Sequence, residues 1–214
     1  MTQSIRTIGI IGAGKLGIVV AQLAIESGYE VYISGSGDPE KIRLAVDVLS
    51  PGAKVARTDE VVHASDVVIL ALPLGRFRQL SAQSFAHKIV IDAMNYWWEV
   101  DGPREEIIPQ EQSSSEAVQE FLSDAYVVKA LSHLSYHDLH DGARPGIEAE
   151  VPRKAVAVAG DDDKAVRVAC DVVERLGFAA LVIGPLAQGR LLEPGYPAFG
   201  ASVSLDELRH LTKQ

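Results

Sequence analysis

The stretch Ile8-Gly9-Ile10-Ile11-Gly12-Ala13-Gly14-Lys15-Leu16-Gly17 joins an apolar run to a G-x-G-x-x-G turn near the start of the chain. Apolar residues at helical spacing follow, then Gly28 and a second apolar run at 31–33. Strand, glycine-rich turn, helix and second strand are the elements of a dinucleotide-binding βαβ unit. The stretch therefore predicts that unit, the alternative being a turn whose glycines only allow a tight connection.

Each glycine of this turn has a separate physical task. Gly12 lets the chain turn tightly after the strand, and Gly14 lets the backbone approach a pyrophosphate. Gly17 allows the helix to pack closely on the strand. The N-terminus of the helix presents free N–H groups and a partial positive charge, which favour an anion at this turn.

Composition limits the classes of partner. Among 214 residues, 20 basic and 29 acidic side chains give a formal charge of -9, which argues against nucleic acid or an anionic membrane surface. No apolar run approaches the length of a membrane span. A single cysteine, Cys170, rules out a disulfide within one chain. Residues 1–6 lead into the first strand without a signal-like leader. From both observations we expect a cytoplasmic protein.

Strand and helix signals alternate along the chain and predict an α/β fold: a Rossmann-like, doubly wound, mostly parallel sheet with a smaller C-terminal α/β extension. The apolar run 67–72 is typical of a strand buried on both faces. Residues 95–115 interrupt the alternation and predict a long functional loop. We expect a dinucleotide-binding Rossmann domain over residues 1–124 and a smaller portion over residues 125–214.

The end of the second predicted strand indicates which dinucleotide binds. NAD-selective turns carry an acidic residue there, whereas this chain has Ser34. The loop 34–37 offers hydroxyls and backbone N–H groups, with Lys41 and Arg43 nearby, and this favours NADP over NAD. Asp38 would oppose a 2′-phosphate unless its carboxylate turns back to cap the following helix.

Five motifs together resemble one family. They are the turn at 12–17, Leu70-Ala71-Leu72-Pro73, Val127-Val128-Lys129-Ala130-Leu131, Ala159-Gly160-Asp161-Asp162-Asp163, and Gly184-Pro185-Leu186 followed by Arg190-Leu191-Leu192-Glu193. On these motifs, over nearly its whole length, the chain resembles the NADPH-dependent reductases of the 8-hydroxy-5-deazaflavin coenzyme F-420, also called NADP oxidoreductases.

The resemblance implies hydride transfer between the nicotinamide of NADP and the deazaflavin ring, with catalysis mainly by proximity and orientation. It implies that Gly14, Lys15 and Leu16 contact the pyrophosphate. It likewise places Ser34 and Ser36 at the 2′-phosphate, and Leu72 and Pro73 on the nicotinamide side. The full set of predicted cofactor-binding residues is Gly12, Gly14, Lys15, Leu16, Gly17, Ser34, Ser36, Lys41, Leu72, Pro73 and Asn95. The resemblance also suggests a homodimer, and it implies that the Rossmann domain over residues 1–124 binds NADP while the portion over 125–214 completes the acceptor site.

Other polar residues near strand ends have separate interpretations. His133 follows the predicted strand 127–131, and we predict that it is catalytic, donating to an acceptor carbonyl or settling charge on the reduced ring. Its spacing with His137 and His140 invites a metal-site interpretation, but no recognised metal arrangement accompanies it, and we predict no metal. Asp92 is interpreted as a buried carboxylate that caps the next turn.

Two tryptophans leave an alternative open. Trp97 and Trp98 could stack on a deazaflavin, or they could serve a dimer contact or a small core. The sequence predicts an oxidoreductase that transfers hydride between NADP(H) and coenzyme F-420, a small-molecule acceptor. The alternatives are an NADPH-dependent reductase of a flavin or an imine, and a non-catalytic NADP(H) redox sensor.

Overall fold

The computed structural model describes residues 5–146 and 152–213, and its strands form one sheet in the order β3-β2-β1-β4-β5-β6-β7-β8. The strands are β1 Thr7–Ile11, β2 Glu30–Ser34, β3 Lys54–Val55, β4 Val67–Leu70, β5 Ile89–Asp92, β6 Tyr126–Lys129, β7 Ala155–Gly160 and β8 Ala179–Gly184. Neighbouring strands are parallel except β6 and β7, which are antiparallel. The predicted Rossmann-like, mostly parallel fold is confirmed.

Helices cover both faces of this sheet. They are α1 Lys15–Glu26, α2 Glu40–Leu49, α3 Thr58–Ala64, α4 Trp98–Asp101, α5 Ser114–Phe121, α6 Tyr136–Gly142, α7 Asp163–Arg175 and α8 Leu205–Leu211. Short 3-10 segments occur at Leu74–Gln79, Ala82–Phe85, Arg104–Glu106 and Leu186–Leu192. No helix in the described part of the chain is long and apolar enough to cross a membrane.

The central strand β4 shows how the sheet divides the core. Val67 and Ile69 belong to the apolar cluster that includes residues of α1 and α7, while Val68 and Leu70 belong to the cluster that includes residues of α3 and α5. All four side chains are 0% exposed. Because successive side chains of a strand point to opposite faces, this burial requires the nearly continuous apolar run that the sequence shows.

Helix α7 illustrates how the local sequence defines an element. The Asp162 side chain accepts a hydrogen bond from the backbone N–H of Ala165 and so caps the helix. Ala165, Val168, Ala169, Val172 and Val173 are buried, and this spacing places them on one face of the helix.

Two regions differ from the expectation. The predicted loop 95–115 contains the short helix α4 and a 3-10 turn, and the segment after β6 forms the unpredicted helix α6. In α6 only Leu139 is buried, so hydrophobic periodicity carries almost no signal there. The helix begins instead with a local cap, in which Ser135 Oγ accepts a hydrogen bond from Asp138 N–H.

The expected domain boundary near residue 124 stays a prediction. It falls just before β6, which pairs in parallel with β5 inside the same sheet. The expectation that no leader precedes the first strand concerns residues 1–6, of which residues 1–4 lie outside the described residues.

Candidate functional site

A cleft of about 450 Å³ lies at the carboxyl ends of β1 and β4. Strand β1 pairs with β2 on one side and β4 on the other, so the chain reverses its direction across the sheet here. Ligands of open α/β sheets bind at such a switch point, and the volume suits a small molecule. The lining residues are Ile11, Gly12, Ala13, Gly14, Gly35, Ser36, Gly37, Ile42, Thr58, Ala71, Leu72, Pro73, Arg76, Gln79 and Leu80.

The glycines of the turn differ in whether a Cβ would clash with neighbouring atoms. A Cβ on Gly12, whose φ is 120°, would lie 2.3 Å from the Ala71 carbonyl oxygen, and one on Gly17 would lie 1.8 Å from the Gly12 carbonyl oxygen. Both glycines are therefore needed by the fold itself, and the packing task predicted for Gly17 is confirmed. A Cβ on Gly14 would meet nothing within 4 Å. The open space beside Gly14 faces the cleft and fits the close approach of a pyrophosphate.

The first turn of α1 carries two more of the predicted residues. Lys15 is exposed, and its Nζ lies 5.3 Å from the centre of the Tyr136 ring. Leu16 is half-buried and packs against the core. Neither side chain lines the cleft, so any contact of these residues with a pyrophosphate would come from their backbone N–H groups.

The loop after β2 forms another wall. Ser34 is 1% exposed and does not line the cleft, because its Oγ accepts a hydrogen bond from Thr58 Oγ1 at 3.2 Å. Ser36 and Thr58 do line it. Asp38 turns back toward α2, where its Oδ1 accepts a hydrogen bond from Glu40 N–H at 3.0 Å. The Asp38 carboxylate thus turns back to cap the following helix, which is the condition under which the sequence allowed a phosphate near Asp38.

Positive charge reaches the cleft from a position that the sequence analysis missed. Lys41 is exposed but does not line the cleft, and Arg43 pairs with Glu40 at 2.7 Å. Arg76 lines the cleft from the 3-10 segment after β4. Its place shortly after the strand ending at Leu70 is the signal that could have identified it, since ligands bind beyond the carboxyl ends of strands.

A second group of polar atoms lies where β5 and β6 end. Asn95 Nδ2 donates a hydrogen bond to the Ser132 carbonyl, and the preceding Leu131 has a φ of 64°. Asn95 Oδ1 and Ser132 Oγ are buried without a hydrogen-bond partner among the described residues. Buried polar atoms are nearly always paired, and non-glycine residues with positive φ concentrate at functional sites. Both features mark this end of the sheet as a candidate ligand-binding region.

His133 lies beneath that region. Its side chain is 1% exposed, and its Nε2 accepts a hydrogen bond from Ala157 N–H at 3.1 Å. Burial lowers the pKa of the imidazole to about 4, with the backbone of Ala198 opposing the shift. The ring is therefore neutral near pH 7. In addition, it does not line the cleft. The catalytic role of His133 stays a prediction that this placement does not favour.

The other two histidines of the same pattern point to separate partners. His137 contacts the Tyr136 ring, with 4.0 Å between ring centres, and His140 Nδ1 lies 3.0 Å from Asp141 Oδ1. Within residues 5–146 and 152–213 no group of three or more His, Cys, Asp or Glu residues could hold a metal ion.

Trp97 lies at the junction of the two regions. Its backbone N–H donates to Asp101 Oδ2, while Asp101 Oδ1 accepts a hydrogen bond from Gly75 N–H, both at 2.8 Å. The indole packs edge to face on Phe199, with 5.8 Å between ring centres. Trp97 is 48% exposed and Trp98 is 61% exposed. One carboxylate thus holds the Trp97 segment beside the segment that follows β4.

A buried ion pair also escaped the sequence analysis. Lys129 lies in an apolar strand, is 0% exposed and contacts Asp92, which is also 0% exposed. Asp92 Oδ1 accepts a hydrogen bond from Met94 N–H, which confirms its predicted role in the next turn. A charge within an all-apolar run must find a partner when buried, and that was the available signal.

Comparisons with known proteins agree with this architecture. Residues 7–96, which contain β1, the glycine-rich turn and the end of β5, match the family model described as NADP oxidoreductase coenzyme F420-dependent. The match covers 90 of the 214 residues, less than half of the chain. The family is the one that the sequence motifs resemble, so the resemblance is confirmed. No curated protein matches the chain.

Solved structures show the same fold over most of the chain. A hypothetical protein from Sinorhizobium meliloti is 26% identical with a TM-score of 0.78, covering 94% of this chain and 97% of its own. A proposed F420-dependent NADP reductase from Arthrobacter sp. FB24 is 22% identical with a TM-score of 0.69, covering 87% and 88%. An imine reductase from Pseudomonas sp. is 16% identical with a TM-score of 0.62, and the match covers 88% of this chain but 60% of that enzyme.

Proposed function

We propose that the protein transfers hydride between NADP(H) and the deazaflavin coenzyme F-420. The observation that carries the proposal is the cleft at the switch point, with the unobstructed Gly14 in its wall, in the segment that matches the family model described as NADP oxidoreductase coenzyme F420-dependent. A dinucleotide pyrophosphate is the ligand chemistry that an exposed glycine backbone at a helix N-terminus accommodates.

Different residues of the cleft contact different parts of the dinucleotide. Gly12 and Gly14 with the N-terminus of α1 hold the pyrophosphate, Ser36 offers a hydroxyl to the phosphorylated ribose, and Leu72 and Pro73 flank the nicotinamide. When bound, the nicotinamide carries the hydride that is transferred. Arg76 is the only ionisable side chain among the described lining residues, so the cleft positions its ligand and supplies no acid or base.

The acceptor binds beyond the nicotinamide, where β5 and β6 end. Asn95 Oδ1 and Ser132 Oγ are buried polar atoms that require partners, and the hydroxyl of Ser132 can donate to an acceptor carbonyl. Trp97 presents a half-exposed indole beside Phe199, and aromatic faces hold flat rings well. Asp101 fixes the Trp97 segment next to the segment after β4, so the two flat rings would meet along one edge of the sheet.

We also propose a homodimer. Trp98 and Val100, two positions apart in α4, are 61% and 66% exposed, and large exposed apolar side chains are found at interfaces. Light scattering of the purified protein measures the mass directly. A mass of twice 23.0 kDa supports the dimer, and a monomer at all concentrations contradicts it.

The test of the function is loss of oxidised deazaflavin absorbance when the protein is mixed with coenzyme F-420 and NADPH. NADH is the nucleotide control, and a flavin and a cyclic imine are the acceptor controls. Turnover of coenzyme F-420 with NADPH supports the proposal. Turnover of only the flavin or the imine would assign another acceptor, while NADPH binding without turnover of any acceptor would favour the redox-sensor alternative.

A further inference from the structure

We propose that Arg76 recognises the 2′-phosphate and thereby sets the preference for NADP(H) over NAD(H). This inference rests on the nucleotide part of the proposed function and is independent of the acceptor. Arg76 lies outside the glycine-rich turn, in the 3-10 segment Leu74–Gln79.

The first argument is charge. The other described residues that line the cleft are glycines, apolar residues or neutral polar residues, so Arg76 alone brings a cation to it. The 2′-phosphate is the group that distinguishes NADP(H) from NAD(H), and its negative charge is concentrated on its oxygen atoms. A guanidinium binds such a group through two parallel hydrogen bonds, which neutral hydroxyls cannot match.

The second argument is availability. The nearby Arg78 is occupied, since its guanidinium donates to the Ile107 carbonyl and lies 4.8 Å from the centre of the Phe77 ring. No ion pair or side-chain hydrogen bond joins Arg76 to the other described residues. The backbone around it is nevertheless well anchored, because Leu74 and Phe77 are both 0% exposed. Arg76 is therefore an unengaged cation on a fixed segment.

The third argument is position. Strands β2 and β4 flank β1, so their carboxyl ends are two strand spacings, about 10 Å, apart. Ser36 follows β2 and Arg76 follows β4, and both line the same cleft. A ribose bound beside Ser36 would thus have its 2′-phosphate between the hydroxyl on one wall and the guanidinium on the other.

The basic residues closer to the β2 loop are less suitable. Arg43 is paired with Glu40, and Lys41 does not line the cleft. Asp38 and Glu40 also add negative charge around the start of α2. Arg76 lies on the opposite wall, and the carboxylate beside its segment, Asp101, accepts hydrogen bonds from the backbone N–H groups of Gly75 and Trp97.

The experiment compares equilibrium dissociation constants for NADPH and NADH, measured by titration calorimetry without any acceptor. We expect Arg76→Gln to weaken NADPH binding by about 10-fold to 100-fold, the effect of one charge-assisted contact, and to leave NADH binding unchanged. Arg76→Lys should recover part of the loss, because it keeps the charge but loses the paired hydrogen bonds. Arg78→Gln is the matched control and should keep the wild-type ratio, while Lys41→Gln tests the competing cation at the start of α2.

Each contrary result has a defined meaning. Equal weakening of NADPH and NADH by Arg76→Gln would show a contact with the adenine or pyrophosphate and overturn the assignment. A lost preference in Lys41→Gln but not in Arg76→Gln would overturn it in favour of α2. If the wild-type protein binds neither nucleotide, the proposed function itself fails, whereas absent F-420 turnover leaves this inference intact. Unchanged melting temperatures would exclude misfolding of the variants.

Discussion

Lys129 Nζ lies 3.2 Å from Asp92 Oδ2, and both side chains are completely buried between adjacent strands β6 and β5. The ammonium also donates to the Met94 carbonyl at 2.6 Å, and Ser115 Oγ donates to Asp92 Oδ2 at 2.6 Å. The pair thereby connects the two strand ends that precede the candidate acceptor region with the first turn of α5. Ser114 N–H, in the same turn, donates to Glu193 from the C-terminal segment.

Breaking this pair on one side should be costly. Lys129→Met leaves the Asp92 carboxylate buried without its counter-ion, and we expect a loss of about 3 to 5 kcal/mol in the free energy of unfolding. Urea denaturation measures it. The double variant Asp92→Asn with Lys129→Met removes both charges and should be more stable than Lys129→Met alone. If the double variant loses the sum of the two single effects, the two charges are not coupled.

The turn glycines should separate folding from binding. Gly14→Ala adds a methyl group where nothing lies within 4 Å, so we expect a stability change of about 1 kcal/mol or less but at least a tenfold weaker NADPH affinity. Gly17→Ala places a Cβ against the Gly12 carbonyl oxygen and should destabilise the fold by about 1 to 3 kcal/mol or more. Thermal melting and nucleotide titration distinguish the two. Normal NADPH binding by Gly14→Ala would mean that no ligand approaches that backbone.

Replacement of the two tryptophans should distinguish stacking on the deazaflavin from a contact in the homodimer. We expect Trp97→Ala to raise the KM for coenzyme F-420 several-fold while the NADPH dissociation constant stays the same, because Trp97 packs beside Phe199 near the candidate acceptor region. Trp98→Ala is the matched control and should leave that KM unchanged. Steady-state kinetics and light scattering on both variants give the answer. A Trp97→Ala protein with wild-type kinetics but a halved mass would assign the indole to the interface instead.

The buried imidazole of His133 should make stability depend on pH. Its pKa is about 4 in the folded protein and 6.5 in the unfolded chain, so below pH 6.5 the unfolded chain binds a proton that the folded protein does not. The free energy of unfolding is therefore at its full value above pH 6.5 and falls by about 3 kcal/mol as the pH drops to 4.

His133→Gln keeps an acceptor for the Ala157 N–H but cannot titrate, so it isolates this contribution. The stability difference between the wild type and His133→Gln should shrink as the pH falls from 6.5 to 4, as measured by urea denaturation at each pH. Parallel pH profiles for the two proteins would show that the imidazole titrates normally. Unchanged kcat for F-420 reduction in the same variant would further indicate that His133 is not catalytic.

Prediction from sequence succeeded where the signal is local. The turn at residues 12–17 and the apolar run of β4 each depend on a few neighbouring residues, and the structure confirms both. Helix α6 was missed because its polar sequence buries only Leu139. Residue Ser34 was expected beside a phosphate, yet strand alternation and the Thr58 hydroxyl keep its side chain below the cleft surface.

The sequence by itself determined the βαβ unit, the mostly parallel α/β class and the position of the glycine-rich turn, because backbone sterics and burial patterns encode these over short distances. Only the tertiary structure decided which side chains share the cleft. Arg76 and Ser36 lie 40 positions apart in the sequence. They line opposite walls of the same cleft because β2 and β4 both pair with β1. Lys129 likewise finds Asp92 because β5 and β6 are neighbours, and strand order is a property of the whole sheet.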